Sequence, residues 1–314
     1  MTAALHILTP GLCTTVQDLG RFHAYNMGVP ASGVLDDYAG QVANWLVGNP
    51  ATSATLEMSM IGASMEILVA ADIAITGAAM NPQLNGRACR QWTSISVKPG
   101  DILDLGVADN GCRSYLAITG GIDVPLVLGS RSTYLGGRLG GFQGRMLAAG
   151  DILERGAGPL LNTPKTLPWF PLYPETIFLR AIAGPHDGYF GNQLSHFFST
   201  TFTVSTQCNR MGVRLIGDTI ERDNDAPESI LSEPITPGNI QIPAGGQPIV
   251  LLKEQTIGGY TNIATVVSSD LWRMGQAKPG DRIRFLQIGL QEAHSLYREW
   301  RSFLAGAEGL LAGD

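Results

Sequence analysis

Glycine and proline punctuate this chain so densely that no apolar run goes far without a turn signal. Its 314 residues hold 39 glycines and 18 prolines. Glycine shows no three-residue period, so the pattern is not collagenous. One turn recurs: Lys98-Pro99-Gly100-Asp101 and Lys278-Pro279-Gly280-Asp281 place Pro and then Gly at the centre of a type II turn, with an apolar run following. Ala149-Gly150-Asp151 before Ile152-Leu153 is a weaker echo. Such punctuation favours many short strands joined by tight turns. A hydrophobic fraction of 44% excludes a disordered chain. A charged fraction of 15%, against about 25% in ordinary proteins, argues against coiled coils and helical solenoids.

Five prolines (Pro159, Pro164, Pro168, Pro171 and Pro174) fall between Gly156 and Glu175, a density that little helix or interior strand survives. This divides the chain into an N-terminal β-rich domain (1–158), a Pro-rich linker (159–175) and a C-terminal β-rich domain (176–314) that ends in a helix. Three helices are predicted. Asp37 to Gly48 carries Ala39, Val42, Ala43, Leu46 and Val47 at helical spacing, with Asp36 or Asp37 as cap and Gly48 and Pro50 at its end. Asp187 to Ser199 and a segment striped by Leu290, Ala293, Tyr297, Trp300 and Leu304 are the others. Strands are predicted at Glu66–Val69, Ile73–Thr76, Ser114–Thr119, Pro248–Leu252, Ile263–Ser268 and Arg282–Gln287.

A net charge of −6 with no long Lys/Arg run argues against nucleic-acid binding, which needs a basic face. Cys13, Cys89, Cys112 and Cys208 are scattered, with no C-x-x-C pair, and read as reduced thiols. The first residues lack a basic signal-peptide region, and Ile67 to Met80, broken by Asp72, is too short to span a bilayer. A cytoplasmic protein is expected. No lysine follows a glycine, which excludes a P-loop; there is no G-x-S-x-G elbow and no metal-ligand spacing among the five histidines. The histidine spacing leaves no bound metal expected, and with no lysine between methionines no covalent biotin is expected on this chain.

Four segments carry more polar and glycine residues than packing requires. In Thr14–Arg21, Gln17, Asp18 and Arg21 can hold a polar ligand, with Arg21 gripping an anion in a fork and Asp18 orienting it or acting as a base. An Asp–Arg pair bracing a loop fits the same residues. In Gly120–Thr133, the Gly-Ser-Arg-Ser-Thr turn around Arg131 and Ser132 offers backbone N–H groups, hydroxyls and a guanidinium suited to an anion, or else an Arg-braced turn. The neighbouring run Gly136 to Gly141 is expected to be a lid or interface loop. Arg210 and Arg214, if extended, share a face and make a basic spot, or surface charge on an edge strand. Gln255, Thr256 and Tyr260 around a glycine pair can read an amide or ring group, or else mark a bulge or hairpin tip. Separately, Glu57 between Leu56 and Met58 has a raised pKa if it is buried.

These segments carry a family resemblance. T-T-V-Q-D-L-G-R from Thr14, G-V-P-A-S-G-V-L-D from Gly28 and G-G-I-D-V-P-L-V-L-G-S-R-S-T from Gly120 resemble the KipA family. So do N-R-M-G from Asn209, with Arg214-Leu215, P-G-N-I-Q-I-P from Pro237 and Q-T-I-G-G-Y from Gln255, all in family order across nearly the whole chain. The family is also called the biotin-dependent carboxyltransferase family, allophanate hydrolase subunit 2, or the C component of 5-oxoprolinase (PxpC). The sequence departs from it where Lys253-Glu254 stand near a usual Asp, and where Ile257 and Thr261 replace a Thr and a Pro.

The resemblance implies a mainly β fold with a few helices, built from two cyclophilin-like β-barrel domains. It implies partners: a KipI-like subunit (PxpB) and a LamB/YcsF-like subunit (PxpA), which together form an ATP-dependent 5-oxoprolinase that opens 5-oxoproline to L-glutamate. ATP is bound by the complex, whichever chain holds it. Two alternatives stay open: carboxyl transfer from carboxybiotin to urea or a small amide, and regulation by binding a KipI-like kinase inhibitor. Under the leading reading, Asp18, Glu57 and Arg131 are the expected catalytic residues. Gln17, Arg21, Ser132, Arg210, Gln255, Thr256 and Tyr260 are the expected substrate contacts.

Overall fold

The computed structural model describes residues 2–167 and 169–312; Met1, Pro168, Gly313 and Asp314 lie outside it. The chain is mostly β, as expected, and divides into two compact units. Unit 1 comprises the residues up to His23, Ala31–Tyr173 and the chain from Leu304 onward; unit 2 comprises Ala24–Pro30 and Pro174–Phe303.

Unit 1 is two sheets facing one core. The seven-stranded sheet runs, in order, Ile122–Asp123, Ile152–Arg155, Thr2–Thr9, Ser64–Ile67, Ile102–Asp104, Gln83–Leu84 and Arg87–Ala88. The five-stranded sheet runs Cys13–Gln17, Thr55–Ser59, Asn110–Ile118, Ala71–Ala79 and Ser94–Val97. Side chains alternate across a pleat, and the register shows what this does here. Val16, Leu56, Leu116 and Ile75 align across four strands and enter the core. The adjacent row, Thr15, Glu57, Tyr115 and Thr76, faces the other way. Helix α1 (Asp37–Leu46) lies over that second row, where Thr76 Oγ1 donates to the Ala39 carbonyl at 2.7 Å. Asp36 caps α1, its carboxylate accepting from Ala39 N–H at 2.9 Å.

The units divide after Tyr173, inside the Pro-rich span. Leu161, Lys165 and Tyr173 are tied to unit 1. Leu161 N–H donates to Asp72 (2.7 Å), Lys165 N–H donates to Ser94 Oγ (2.7 Å), and Asn110 exchanges two hydrogen bonds with the Tyr173 backbone.

Unit 2 contains a closed seven-stranded barrel ordered Thr176–Ala183, Thr261–Val266, Asn239–Ile242, Ile249–Leu251, Gly212–Ile216, Thr201–Cys208 and Arg282–Gln287. The last strand closes it by running parallel to the first. Phe197 of helix α2 (Gln193–Ser199) packs against Phe285 and Phe202, with ring centroids 4.8 and 5.6 Å apart. The helix predicted over Asp187–Ser199 is broken: a 3-10 turn covers Asp187–Tyr189, and Gly191 at φ +42° interrupts the path before α2. A five-residue helix α3 (Leu271–Gly275) follows, and the predicted C-terminal helix is α4 (Leu290–Ala312).

The recurring turn is real in both units. Gly100 and Gly280 sit at φ +87° and +93°, a region that suits glycine at the third turn position. Each is closed by the following Asp, whose side chain accepts from the backbone N–H of Lys98 (2.8 Å) or Lys278 (2.9 Å). Gly150 at φ +89° and Asp151, accepting from Ala148 N–H at 2.7 Å, repeat the device. Each turn feeds a strand.

Candidate functional site

Two of the sequence motifs meet in unit 1. The buried Asp18 carboxylate accepts four hydrogen bonds: from Gly20 N–H (2.8 Å), Ser130 Oγ (2.7 Å) and Ser132 Oγ (2.5 Å) on one oxygen, and from Arg131 N–H (2.6 Å) on the other. Ser132 Oγ accepts in turn from Asp18 N–H at 2.9 Å. Arg21, fully buried, donates to the Ser132 carbonyl. Asp18, Arg21, Arg131 and Ser132 therefore form one node. A carboxylate holding four donors fixes the 130–133 turn, so in this conformation Asp18 is an anchor. The Arg131 guanidinium reaches partly into solvent, 3.0 Å from Asp123.

Gln17 and Glu57 grip a second motif, the 31–36 loop. Gln17 accepts from Gly33 N–H (3.1 Å) and donates to the Thr133 carbonyl (3.1 Å) and Thr15 Oγ1 (3.0 Å), so it also touches the node's turn. Glu57 accepts from Leu35 N–H (3.0 Å) and the Tyr115 hydroxyl (2.9 Å), with Arg113 3.8 Å away. Tyr115 accepts from Asp36 N–H (2.9 Å), and Tyr173 donates to Asp36 (3.0 Å). Burial, then the charges of Glu57 and Asp36, push the Tyr115 phenol well up. Burial and Asp36 do the same to Tyr173 and Tyr38. These phenols stay neutral; Tyr115 links the Glu57 carboxylate to the Asp36 backbone, and Tyr173 donates to the Asp36 carboxylate.

In unit 2 the expected basic spot does not form. Arg210 lies in the turn before the Gly212–Ile216 strand, where Asn209 Oδ1 accepts from Met211 N–H at 2.8 Å. That turns Arg210 inward onto Glu254, with Nε 2.6 Å from the carboxylate and both residues buried. Arg214, on the strand, faces solvent. Next to Glu254, Gln255 and Thr256 are half-buried and Tyr260 is 42% exposed. Their side chains make no hydrogen bond among the described residues. The backbone around them is fixed instead: Thr256 O accepts from Ile235 N–H at 3.1 Å, and Ile257–Gly258 pairs with Glu233–Pro234. A held backbone with an unengaged amide, hydroxyl and phenol is suited to reading a small polar ligand. The segment is thus a two-stranded ribbon whose polar side chains remain available.

Sequence reasoning missed Ser130 as a partner of Asp18, and Tyr115, Arg113 and Tyr173 around Glu57 and Asp36. The Ser130 signal was present in the Gly-Ser-Arg-Ser-Thr turn. Tyr115 and Arg113 reach Glu57 only through strand register, which spacing does not reveal. Among the described residues, no three His, Cys, Asp or Glu side chains are placed to hold a metal ion, and no helix is long and apolar enough to cross a membrane.

Known proteins share this architecture. A family model described as "Carboxyltransferase domain, subdomain A and B" matches residues 27–287. The chain is 37% identical to the C component of 5-oxoprolinase from Escherichia coli K12 over 295 residues, covering 92% of this chain and 93% of that protein. It is 35% identical to urea amidolyase of Saccharomyces cerevisiae over 315 residues, covering 93% of this chain and 17% of that protein. The crystal structure of the K. lactis urea amidolyase superposes with a TM-score of 0.91 at 32% identity, covering 97% of this chain and 20% of that one. With most of its length matched at this identity, the chain belongs to the carboxyltransferase domain family, subdomains A and B.

Proposed function

We propose that this chain is the C component of an ATP-dependent 5-oxoprolinase. It works in the cytoplasm with a KipI-like and a LamB/YcsF-like subunit, and the assembly opens the lactam of 5-oxoproline to L-glutamate. One observation carries the reading. The chain is 37% identical to the 5-oxoprolinase C component over 92% of its length, against 35% to urea amidolyase over 93%.

The chemistry agrees with the residues left available. A lactam is a poor electrophile, and ATP supplies the activation of its carbonyl oxygen when bound in the complex. This chain's share is to bind and orient. Gln255, Thr256 and Tyr260 offer an amide, a hydroxyl and a phenol that match a lactam N–H and C=O. The partly exposed Arg131 guanidinium offers an anion contact, with Asp18 fixing its backbone. Arg210 and Glu254 brace each other beside Gln255. Gln17 and Glu57 hold the 31–36 loop.

Co-expression with the two partner proteins tests this. The assembled complex is expected to release ADP and form glutamate in a 5-oxoproline-dependent manner. Gln255→Ala and Arg131→Ala are each expected to lower kcat/KM about tenfold or more without dispersing the complex. Turnover that instead required urea and a carboxylated biotin carrier would move the chain to carboxyl transfer. Tight pairing with the KipI-like protein and no turnover would favour regulation.

A further inference from the structure

A cleft of about 600 Å³ opens in unit 1 beside the Asp18–Arg131 node. One wall is the strand pair Ile122–Asp123 and Ile152–Arg155, in which Asp123 and Glu154 are direct antiparallel partners. Directly opposed residues project from the same face of a sheet with Cβ atoms about 5 Å apart, and both Asp123 and Glu154 line the cleft. The other wall is the glycine-rich turn that carries Arg138. Its path is fixed: Arg138, Gly140 and Gly141 all have positive φ, at +50°, +68° and +55°. A Cβ on Gly140 would lie 2.2 Å from the Ser132 carbonyl oxygen, and one on Gly141 1.8 Å from Thr133 Oγ1. Gly141 N–H donates to Arg131 O at 3.1 Å, and Asp123 is held 3.0 Å from the Arg131 guanidinium. The run from Gly136 to Gly141 is therefore held against the 131–133 turn and forms this wall.

Asp123 shares one carboxylate oxygen with Arg131, while among the described residues Glu154 and Arg138 are left without a charge partner. Among the described residues neither Asp123 nor Glu154 comes within 4 Å of a nitrogen of Arg138, and the Arg138 and Glu154 side chains make no hydrogen bond. A bare cation would face Arg138, and a bare anion would face two carboxylates. A molecule bearing both an ammonium and a carboxylate meets both walls, with the ammonium between Asp123 and Glu154 and the carboxylate in the Arg138 fork. Between them the lining is apolar, from Val124, Leu139 and Phe142. We infer that this cleft is a binding site for a free α-amino acid with an apolar side chain.

Titration calorimetry on the intact chain, with no other protein and no ATP, reads this directly. L-Leucine and L-phenylalanine are expected to bind saturably. 4-Methylpentanoate, which lacks the ammonium, and isopentylamine, which lacks the carboxylate, are each expected to bind at least tenfold more weakly. L-Glutamate, with a second carboxylate against an apolar wall, is expected to bind more weakly than leucine. Arg138→Gln and Glu154→Gln should each weaken leucine binding tenfold or more with Tm unchanged, since both side chains are exposed and unengaged. No leucine or phenylalanine binding at millimolar concentration would overturn the assignment. So would equal binding of either single-charge analogue, tighter binding of glutamate, or leucine affinity untouched by Arg138→Gln. The oxoprolinase assay does not enter, so failure here and failure there are separate results.

Discussion

The Tyr115 hydroxyl does two jobs in a place water does not reach: it donates to Glu57 and accepts from Asp36 N–H. Replacing it by Phe strands an N–H and removes a donor from a buried carboxylate. Tyr115→Phe is therefore expected to cost about 1–3 kcal/mol at neutral pH, read as a lower urea midpoint. Its pH signature has a definite sign. Burial and the neighbouring carboxylates raise the folded-state pKa, so the contribution is fully present below the unfolded value near 10 and is lost as pH rises beyond it. The alkaline fall in stability should be shallower in Tyr115→Phe. An unchanged midpoint and an unchanged alkaline limb would show the bridge to be idle. At this scale the sequence was partly legible. Asp18, Arg21, Arg131 and Ser132 converge because each lies in a dense local motif whose polar groups had no apolar role to fill. Tyr115 and Arg113 stayed hidden because their neighbours on the same strand are core residues. The condition that would put Arg210 and Arg214 on one face fails, because a turn at Asn209–Met211 breaks the extended geometry that four-residue spacing assumes.

Turns were the most legible elements, and their glycines separate two kinds of requirement. Gly280 needs a positive φ of +93°, but a Cβ there meets nothing within 4 Å. Gly77 has φ +82° and a Cβ would lie 2.3 Å from the Arg113 carbonyl oxygen, where the pairing of its strand with Asn110–Ile118 shifts register. Gly280→Ala is expected to cost about 1–2 kcal/mol, the left-handed backbone penalty alone. Gly77→Ala is expected to cost several times more, because two strands must part. Equal urea midpoints for the two variants would contradict this. The helix expected over Asp187–Ser199 shows the reverse weakness. Its aromatic spacing was genuine, but Gly191 turns the backbone out of the helical region, and periodicity alone gives such a glycine no weight.

Over the whole molecule, the two-unit organisation is not two consecutive stretches of sequence. Ala24–Pro30 groups with unit 2, and the chain from Leu304 onward groups with unit 1. Composition points to the Pro-rich span but not to these exchanged segments, because nothing local in them names their destination. Leu304, Ala307 and Leu311 are buried, and Lys165 Nζ donates to the Leu311 carbonyl. Ending the chain at Phe303 is expected to cost about 3–6 kcal/mol, the burial of two leucines, and to lower Tm accordingly; an unchanged Tm would contradict that grouping. The functional claim also belongs to the whole chain, since the likeness to the 5-oxoprolinase C component spans nearly all of it. The most direct measurement is glutamate formation from 5-oxoproline and ATP by this chain with its KipI-like and LamB/YcsF-like partners, repeated with this chain left out. The full set is expected to give stoichiometric ADP and glutamate, and neither is expected when this chain is omitted. Undiminished glutamate formation without it, or none from an assembled complex, would contradict the account.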